Sequence, residues 1–237
     1  MVITGAQGGL GKAIARLAFS QGWRLALIDR EPSITEDAPP EALSIVADVT
    51  DPASMRGALE HCKAELGSID CLVSSAGLTR PGPSAALARE DWETVLTVDL
   101  SGAFFVAQAA YPYLRASAGS IVNISSISAT RVMPGRAAYS AAKAGLNALT
   151  QSLAVEWGPD GIRVNAVAPA WVDNAFLRSL ERKGVLDPEE LVSKIPLGRL
   201  CTDDDVAQAV CFLANRNAAS FITGQVLHID GGYLSAG

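Results

Sequence analysis

The opening stretch narrows the choice of fold more than any other part of the chain. Met1-Val2-Ile3-Thr4 is a short apolar run with β-branched residues, followed at once by Gly5-Ala6-Gln7-Gly8-Gly9-Leu10-Gly11. Lys12–Phe19 then has helical periodicity, and Arg24-Leu25-Ala26-Leu27-Ile28 reads as a second strand. That strand ends at Asp29, 18 residues after Gly11. Strand, glycine turn, helix, strand and acid in this register form a dinucleotide-binding arrangement. The glycines permit the turn and let the backbone approach a pyrophosphate, and the helix N-terminus offers free N–H groups to the anion. A carboxylate at the position of Asp29 lies where it would grip the adenine ribose hydroxyls.

The alternation continues along the chain. Strands are expected at Leu43–Ala47, Cys71–Ser74, Ser120–Ile124, Arg163–Val167 and Val226–Ile229, and helices near Pro52–Glu65, Trp92–Leu114, Ala138–Trp157 and Asp203–Leu213. Alternating strands and helices imply a parallel sheet covered on both faces. The segment Glu31–Glu41 has three prolines and no apolar periodicity, so the helix between strands two and three is expected to be shortened or replaced by a loop. No internal repeat, low-complexity tract or linker divides the chain, and residues 1–237 are expected to form one α/β domain.

A chemical signal comes from the middle. Tyr139 and Lys143 are four apart, one helical turn, so the phenol and the ammonium share a face; Ser126 lies thirteen residues before the tyrosine. A phenol titrates near ~10, too high for proton transfer at neutral pH, and a fixed ammonium nearby favours its ionised form. Bringing that value to ~7 needs roughly 4 kcal/mol, much of which one positive charge in a partly dry cleft can supply. A serine hydroxyl beside the phenol holds a carbonyl or alcohol oxygen. The set reads as acid–base machinery for a C–OH/C=O interconversion. Taken alone, a tyrosine and lysine at this spacing are better explained as surface residues of an ordinary helix.

Composition removes other classes. With 49% hydrophobic and 19% charged residues the chain is a folded globule, and its net charge of -6 with scattered basic residues argues against nucleic acid as a partner. Cys62, Cys71, Cys201 and Cys211 have no metal-ligand spacing and read as buried free thiols in a reducing compartment. His61 and His228 are the two histidines, too few for a histidine metal site or a Ser-His-Asp triad. With no signal-peptide pattern and no apolar run long enough to span a bilayer, a soluble cytoplasmic protein is expected.

Thr-Gly-x-x-x-Gly-x-Gly at Thr4–Gly11, a serine thirteen before Tyr-x-x-x-Lys, and the late Ile222-Thr223-Gly224-Gln225 and Asp230-Gly231-Gly232 together resemble the short-chain dehydrogenase/reductase family over essentially the whole chain. The resemblance implies a Rossmann-like, doubly wound, mostly seven-stranded parallel sheet with helices on both faces. It implies direct hydride transfer between a nicotinamide cofactor and a small-molecule secondary alcohol or ketone. Tyr139 as phenolate would exchange the substrate proton, Lys143 would tune the tyrosine and bond the nicotinamide ribose, and Ser126 would position the substrate oxygen. Cofactor contacts are implied for Gly5, Gln7, Gly9, Leu10, Gly11 and Asp29, and for the Asp48-Val49 pair after strand three, where Asp48 also reads as a helix cap before Pro52. Further contacts are implied for Ala76 and Gly77 in Ser75-Ala76-Gly77, where the family has Asn-Ala-Gly, and for Pro169, Val172 and Asn174. In the last segment Ala170 and Asn174 replace the family's glycine and threonine.

Asp29 favours NAD over NADP by bonding the ribose hydroxyls and repelling an extra phosphate; Arg30 is the neighbour able to pair with that phosphate. Asp99 stands where the family usually places an asparagine that holds a water leading to the lysine. A carboxylate there would offset part of the lysine's field on Tyr139, which predicts an alkaline optimum for oxidation; an aspartate turned away from the site is the other reading. Residues 174–195 are expected to form a substrate lid with Phe176, Leu177 and Leu180 on one side, and Val132, Met133, Pro134 and Trp171 to face the pocket. Thr79, Arg80, Ser128 and Asp173 offer polar contacts, so the substrate stays open. The helices at Trp92–Leu114 and Ala138–Trp157 are expected to make a homodimer contact, with a second contact near the last strand giving a homotetramer. Two other classes remain: a nucleotide sensor with little turnover, which the intact Ser126, Tyr139 and Lys143 argue against, and an assembly subunit activating a catalytic partner.

Overall fold

The computed structural model describes residues 1–32, 38–174, 177–178, 182 and 187–236. Its strands are β1 (Val2–Thr4), β2 (Ala26–Asp29), β3 (Leu43–Val46), β4 (Cys71–Ser74), β5 (Ser120–Ile124), β6 (Arg163–Pro169) and β7 (Val226–Ile229). They form one sheet in the order β3-β2-β1-β4-β5-β6-β7. Every neighbouring pair is parallel. The order reverses between β1 and β4, which opens a crevice above their carboxyl ends, the place where such sheets bind ligands.

The central strands are apolar on both faces, and successive residues divide between two cores. Ile3, Val73 and Val122 pack with α1 (Gly9–Ser20) through Ile14 and Ala18, and with α7 (Asp203–Ala214) through Val206 and Val210. Val2, Leu72 and Ile121 pack on the opposite face. Their partners there are Met55 and Leu59 of α2 (Pro52–Leu66), Val106 and Leu114 of α4 (Ala103–Ser117), and Leu153 of α5 (Ala137–Trp157). Each fully buried aliphatic side chain contributes about 1.5–3 kcal/mol. The doubly wound fold implied by the sequence is therefore the fold observed.

Element boundaries agree with expectation to within a few residues, with one difference. The run expected as one helix at Trp92–Leu114 is α3 (Arg89–Leu96), a wider π-helical turn (Thr97–Gly102) and α4. Joined, these pieces form a 29-residue helical run, Arg89–Ser117, with a window of mean hydropathy 1.2. By length and composition that run is apolar enough to cross a bilayer, which corrects the expectation that no such run exists. A third of the window is buried inside the fold, where α4 meets the sheet. In the segment Glu31–Glu41, residues 33–37 lie outside the described residues; Ala38–Glu41 carry no helix.

The late motif has a structural use. The Asn165 side chain of β6 donates to the Ile222 carbonyl at 2.8 Å and accepts from the Gln225 N–H at 3.0 Å, and Thr223 Oγ1 accepts from Val164 N–H. These bonds launch β7 in register. Asp230 then accepts from the Gly232 and Leu234 amides, which turns the chain back toward the crevice.

Candidate active site

The crevice is a cleft of about 820 Å³. Each cofactor and catalytic residue singled out from the sequence lines it: Gly5, Gln7, Gly9, Leu10, Gly11, Asp29, Asp48, Val49, Ala76, Gly77, Asp99, Ser126, Tyr139, Lys143, Pro169, Val172 and Asn174.

At one end is the glycine turn. Gly5 has φ +64°, and a Cβ there would sit 2.6 Å from the Ala76 backbone nitrogen. A Cβ on Gly11 would strike the Gly5 carbonyl oxygen. Both positions therefore exclude a side chain, and the turn packs directly on the Ser75-Ala76 backbone after β4. Thr4 Oγ1 reinforces that seam, donating to the Val73 carbonyl and accepting from Ser75 N–H at 3.2 Å. Helix α1 starts at Gly9 with Gly8 before it and no side-chain cap. Its first amides thus face the cleft as donors for an anion. Asp29, at the end of β2, accepts from the Gln7 N–H at 2.9 Å and from the Glu31 N–H at 3.1 Å. Its carboxylate is thereby fixed beside the turn. Arg30 pairs with Glu31 at 3.3 Å on the exposed rim. Asp48 accepts from the backbone and side chain of Thr50, while Asp51 caps α2; Asp48 is not the cap. A bare glycine turn, an uncapped helix start and an anchored carboxylate suit a dinucleotide's pyrophosphate and ribose.

At the other end are the chemical groups. Tyr139 and Lys143 lie on the first turns of α5, with Lys143 Nζ 5.6 Å from the tyrosine ring centre. Lys143 is buried and donates to the Ile124 carbonyl at 2.9 Å. Its Nζ also stands 3.2 Å from Asp99 Oδ2, with the two side chains 5% and 0% exposed. Asp99 thus faces the site and is not turned away. Its Oδ1 accepts from the Leu78 N–H at 2.8 Å. Burial alone would lower the lysine pKa, but the Asp99 carboxylate and Tyr139 outweigh it, so the value is raised above the ordinary one. Ser126 is extended at the end of β5, and its Oγ accepts from Ser128 N–H at 3.1 Å. That bond uses an oxygen lone pair and leaves the hydroxyl proton to donate elsewhere.

The third wall follows β6. Val172 bridges to Cys201, and Asn174 Oδ1 accepts from Leu177 N–H at 3.1 Å, opening the expected lid. Leu177 is buried, and α6 (Pro188–Ser193) lies at the far end of that segment; Phe176 and Leu180 lie outside the described residues. Thr79, Arg80, Ser128, Met133 and Trp171 line the substrate end as expected. Val132, Pro134 and Asp173 are not among the lining residues.

The structure adds three groups to the site. The Leu78 amide and Ile124 carbonyl hold the Asp99–Lys143 pair, and backbone groups leave no trace in residue type. Arg136 lines the cleft and donates to Thr79 Oγ1 at 2.8 Å; its signal was its place three residues before Tyr139. Among the described residues no cluster of histidine, cysteine and acidic side chains has metal-binding geometry.

Comparison with known proteins agrees with this geometry. A family described as enoyl-(acyl carrier protein) reductase matches residues 5–234. The chain is 38% identical to cis-4-hydroxycyclohexanecarboxylate dehydrogenase of Sinomonas cyclohexanicum, covering 99% of this chain and 96% of that protein. Among solved structures, NAD+-bound xylitol dehydrogenase superimposes with a TM-score of 0.91 at 30% identity, over 98% of this chain and 97% of the other. A gluconate 5-dehydrogenase from Burkholderia cenocepacia, in complex with NADP and tartrate, gives 0.91 at 32% identity, over 99% and 94%. With a crevice at the β1/β4 reversal, a glycine turn at one end and a serine, tyrosine and lysine at the other, this chain belongs to the short-chain dehydrogenase/reductase family of oxidoreductases.

Proposed function

We propose that this oxidoreductase is an NAD-dependent dehydrogenase interconverting a secondary alcohol and a ketone. The observation that carries the reading is the convergence of Ser126, Tyr139 and Lys143 on the cleft whose other end is the glycine turn. Bound nicotinamide supplies the hydride acceptor in oxidation and the donor in reduction. The chain's own residues do the rest. The Ser126 hydroxyl donates to the substrate oxygen and holds it at the phenol. Tyr139 takes the hydroxyl proton during oxidation and returns it to the carbonyl during reduction. Lys143 keeps a positive charge against the phenol, and Asp99 fixes the height of that charge in the cleft. The relatives named for a hydroxycyclohexanecarboxylate, for xylitol and for gluconate favour an alcohol as substrate.

NAD is favoured by charge. Asp29 and Glu31 line the ribose end together, and the Arg30 guanidinium is already paired with Glu31. A 2′-phosphate there meets two carboxylates. The exposed apolar residues Trp92, Val155, Phe212, Phe221 and Leu227 lie on α3, α5, α7, the turn before β7 and β7 itself, which supports assembly as a homodimer or homotetramer. Four buried thiols support a reducing, cytoplasmic compartment.

The test is NADH formation at 340 nm across secondary alcohols: polyols, sugar acids, alicyclic hydroxy acids, hydroxyacyl thioesters and hydroxysteroids. NAD and NADP run in parallel, and an enoyl thioester with NADH covers reduction of a C=C bond. Tyr139→Phe is expected to remove turnover while NAD binding, read by thermal shift, survives. Activity near wild type in that variant would refute the assignment.

A further inference from the structure

The charges of the cleft are unevenly distributed along its length. Asp29, Glu31 and Asp48 line the glycine-turn end with a single arginine, Arg30, which is paired with Glu31, and Arg80 and Arg136 line the end that holds Tyr139. Among the described residues lining that catalytic end, Asp99 is the one carboxylate, and it is paired with Lys143. In a chain of net charge -6 the substrate end is thus locally cationic.

The two arginines are held there by specific contacts. The Gly82 N–H donates to the Gly135 carbonyl at 3.0 Å, which ties the loop carrying Arg80 to the turn carrying Arg136. Arg136 donates to Thr79 Oγ1 at 2.8 Å, an orientation that fixes one edge of a planar guanidinium. Arg80 leans on Asp91 at 3.4 Å, a residue outside the lining. Arginine donates and never accepts, so this end is rich in donors. A carboxylate accepts only, and a guanidinium meets it with two parallel bonds.

We propose that the substrate is a hydroxy acid, a secondary alcohol bearing a carboxylate, and that Arg136 binds that carboxylate with Arg80 assisting. The inference rests on the alcohol dehydrogenase reading for the reaction, but the anion site stands on its own geometry.

The experiment compares carboxylates with their primary amides, which match them in shape and lack the charge. The substrate pairs are 3-hydroxybutyrate with 3-hydroxybutyramide and 4-hydroxycyclohexanecarboxylate with its amide. The expected result is a kcat/KM at least tenfold higher for one acid than for its amide, with the preference carried mainly in KM. Arg136→Gln should collapse that ratio and Arg136→Lys should restore part of it. Thr79→Val, which keeps the arginine and removes its anchor, should lower the ratio less. Amides used as well as acids, or a ratio that survives Arg136→Gln in folded protein, would overturn the proposal. A second readout needs no turnover: calorimetric binding of cyclohexanecarboxylate and cyclohexanecarboxamide to the NADH-loaded protein. If no alcohol reacts, the dehydrogenase reading fails, and this titration alone decides the anion site. Acid binding tenfold tighter and dependent on Arg136 upholds it, and equal binding sinks it.

Discussion

At the scale of single residues, Asp99 sets this site apart. A buried carboxylate 3.2 Å from the ammonium leaves Tyr139 facing a pair and not a lone charge. Asp99→Asn keeps an oxygen for the Leu78 amide and removes the countercharge, so the phenol then feels Lys143 alone. The rising limb of alcohol oxidation against pH is expected to move to lower pH in that variant; a profile that stays in place would sink this role. Unpairing a buried lysine should also cost roughly 3 kcal/mol of stability, measured by denaturant unfolding. In the wild type the folded-state pKa of Lys143 is raised above 10.5. The pair's stabilising contribution is therefore complete at neutral pH and is lost as pH climbs through that raised value. The convergence of Ser126, Tyr139 and Lys143 on one cleft was readable because two of them stand one helical turn apart and the third has a fixed spacing from them. The contact between Asp99 and Lys143 was one of two readings that the family resemblance left open, since 44 residues of chain separate them and only the fold closes that distance. Arg136 was overlooked because its one signal, a place three residues before Tyr139, does not by itself separate it from a surface arginine at a helix start.

At the scale of elements, the glycine turn and the start of α7 make contrasting predictions. Gly11→Ala would push a methyl group into the Gly5 carbonyl, and the turn must open to relieve it. NAD binding by titration calorimetry is expected to weaken more than tenfold, with a loss of stability alongside. Thr202 caps α7 through a reciprocal pair with Asp205 and does not itself line the cleft. Thr202→Ala should therefore cost about 1 kcal/mol and lower Tm by about 2–4 °C with kcat unchanged. The core strands were legible because a parallel sheet buried on both faces favours near-continuous apolar runs, as in Ala26-Leu27-Ile28 and Cys71-Leu72-Val73. The division of Arg89–Ser117 was hidden because a π-helical turn disturbs the apolar rhythm too little to register.

At the scale of the molecule, burial governs the thiols. It pushes Cys62 and Cys201 up to about 12 and Cys211 up to about 11, and raises Cys71 as well. A thiol-reactive dye at pH 7.5 is expected to label none of the four within minutes in the native protein and all four after unfolding. Fast labelling of any one would contradict the packing. Light scattering coupled to size exclusion should return two or four times the 24.7 kDa chain mass, and a monomer would refute the proposed assembly. The reversal of strand order between β1 and β4 also has an evolutionary side. Strands on one flank lead to Asp29 and Asp48, at the end of the cleft that the proposed function gives to the cofactor, and strands on the other flank lead to Ser126 and Trp171. Under the proposed function, mutation on the second flank retunes which substrate is accepted without disturbing the first. A gene built this way can explore new substrates while its electron carrier stays the same.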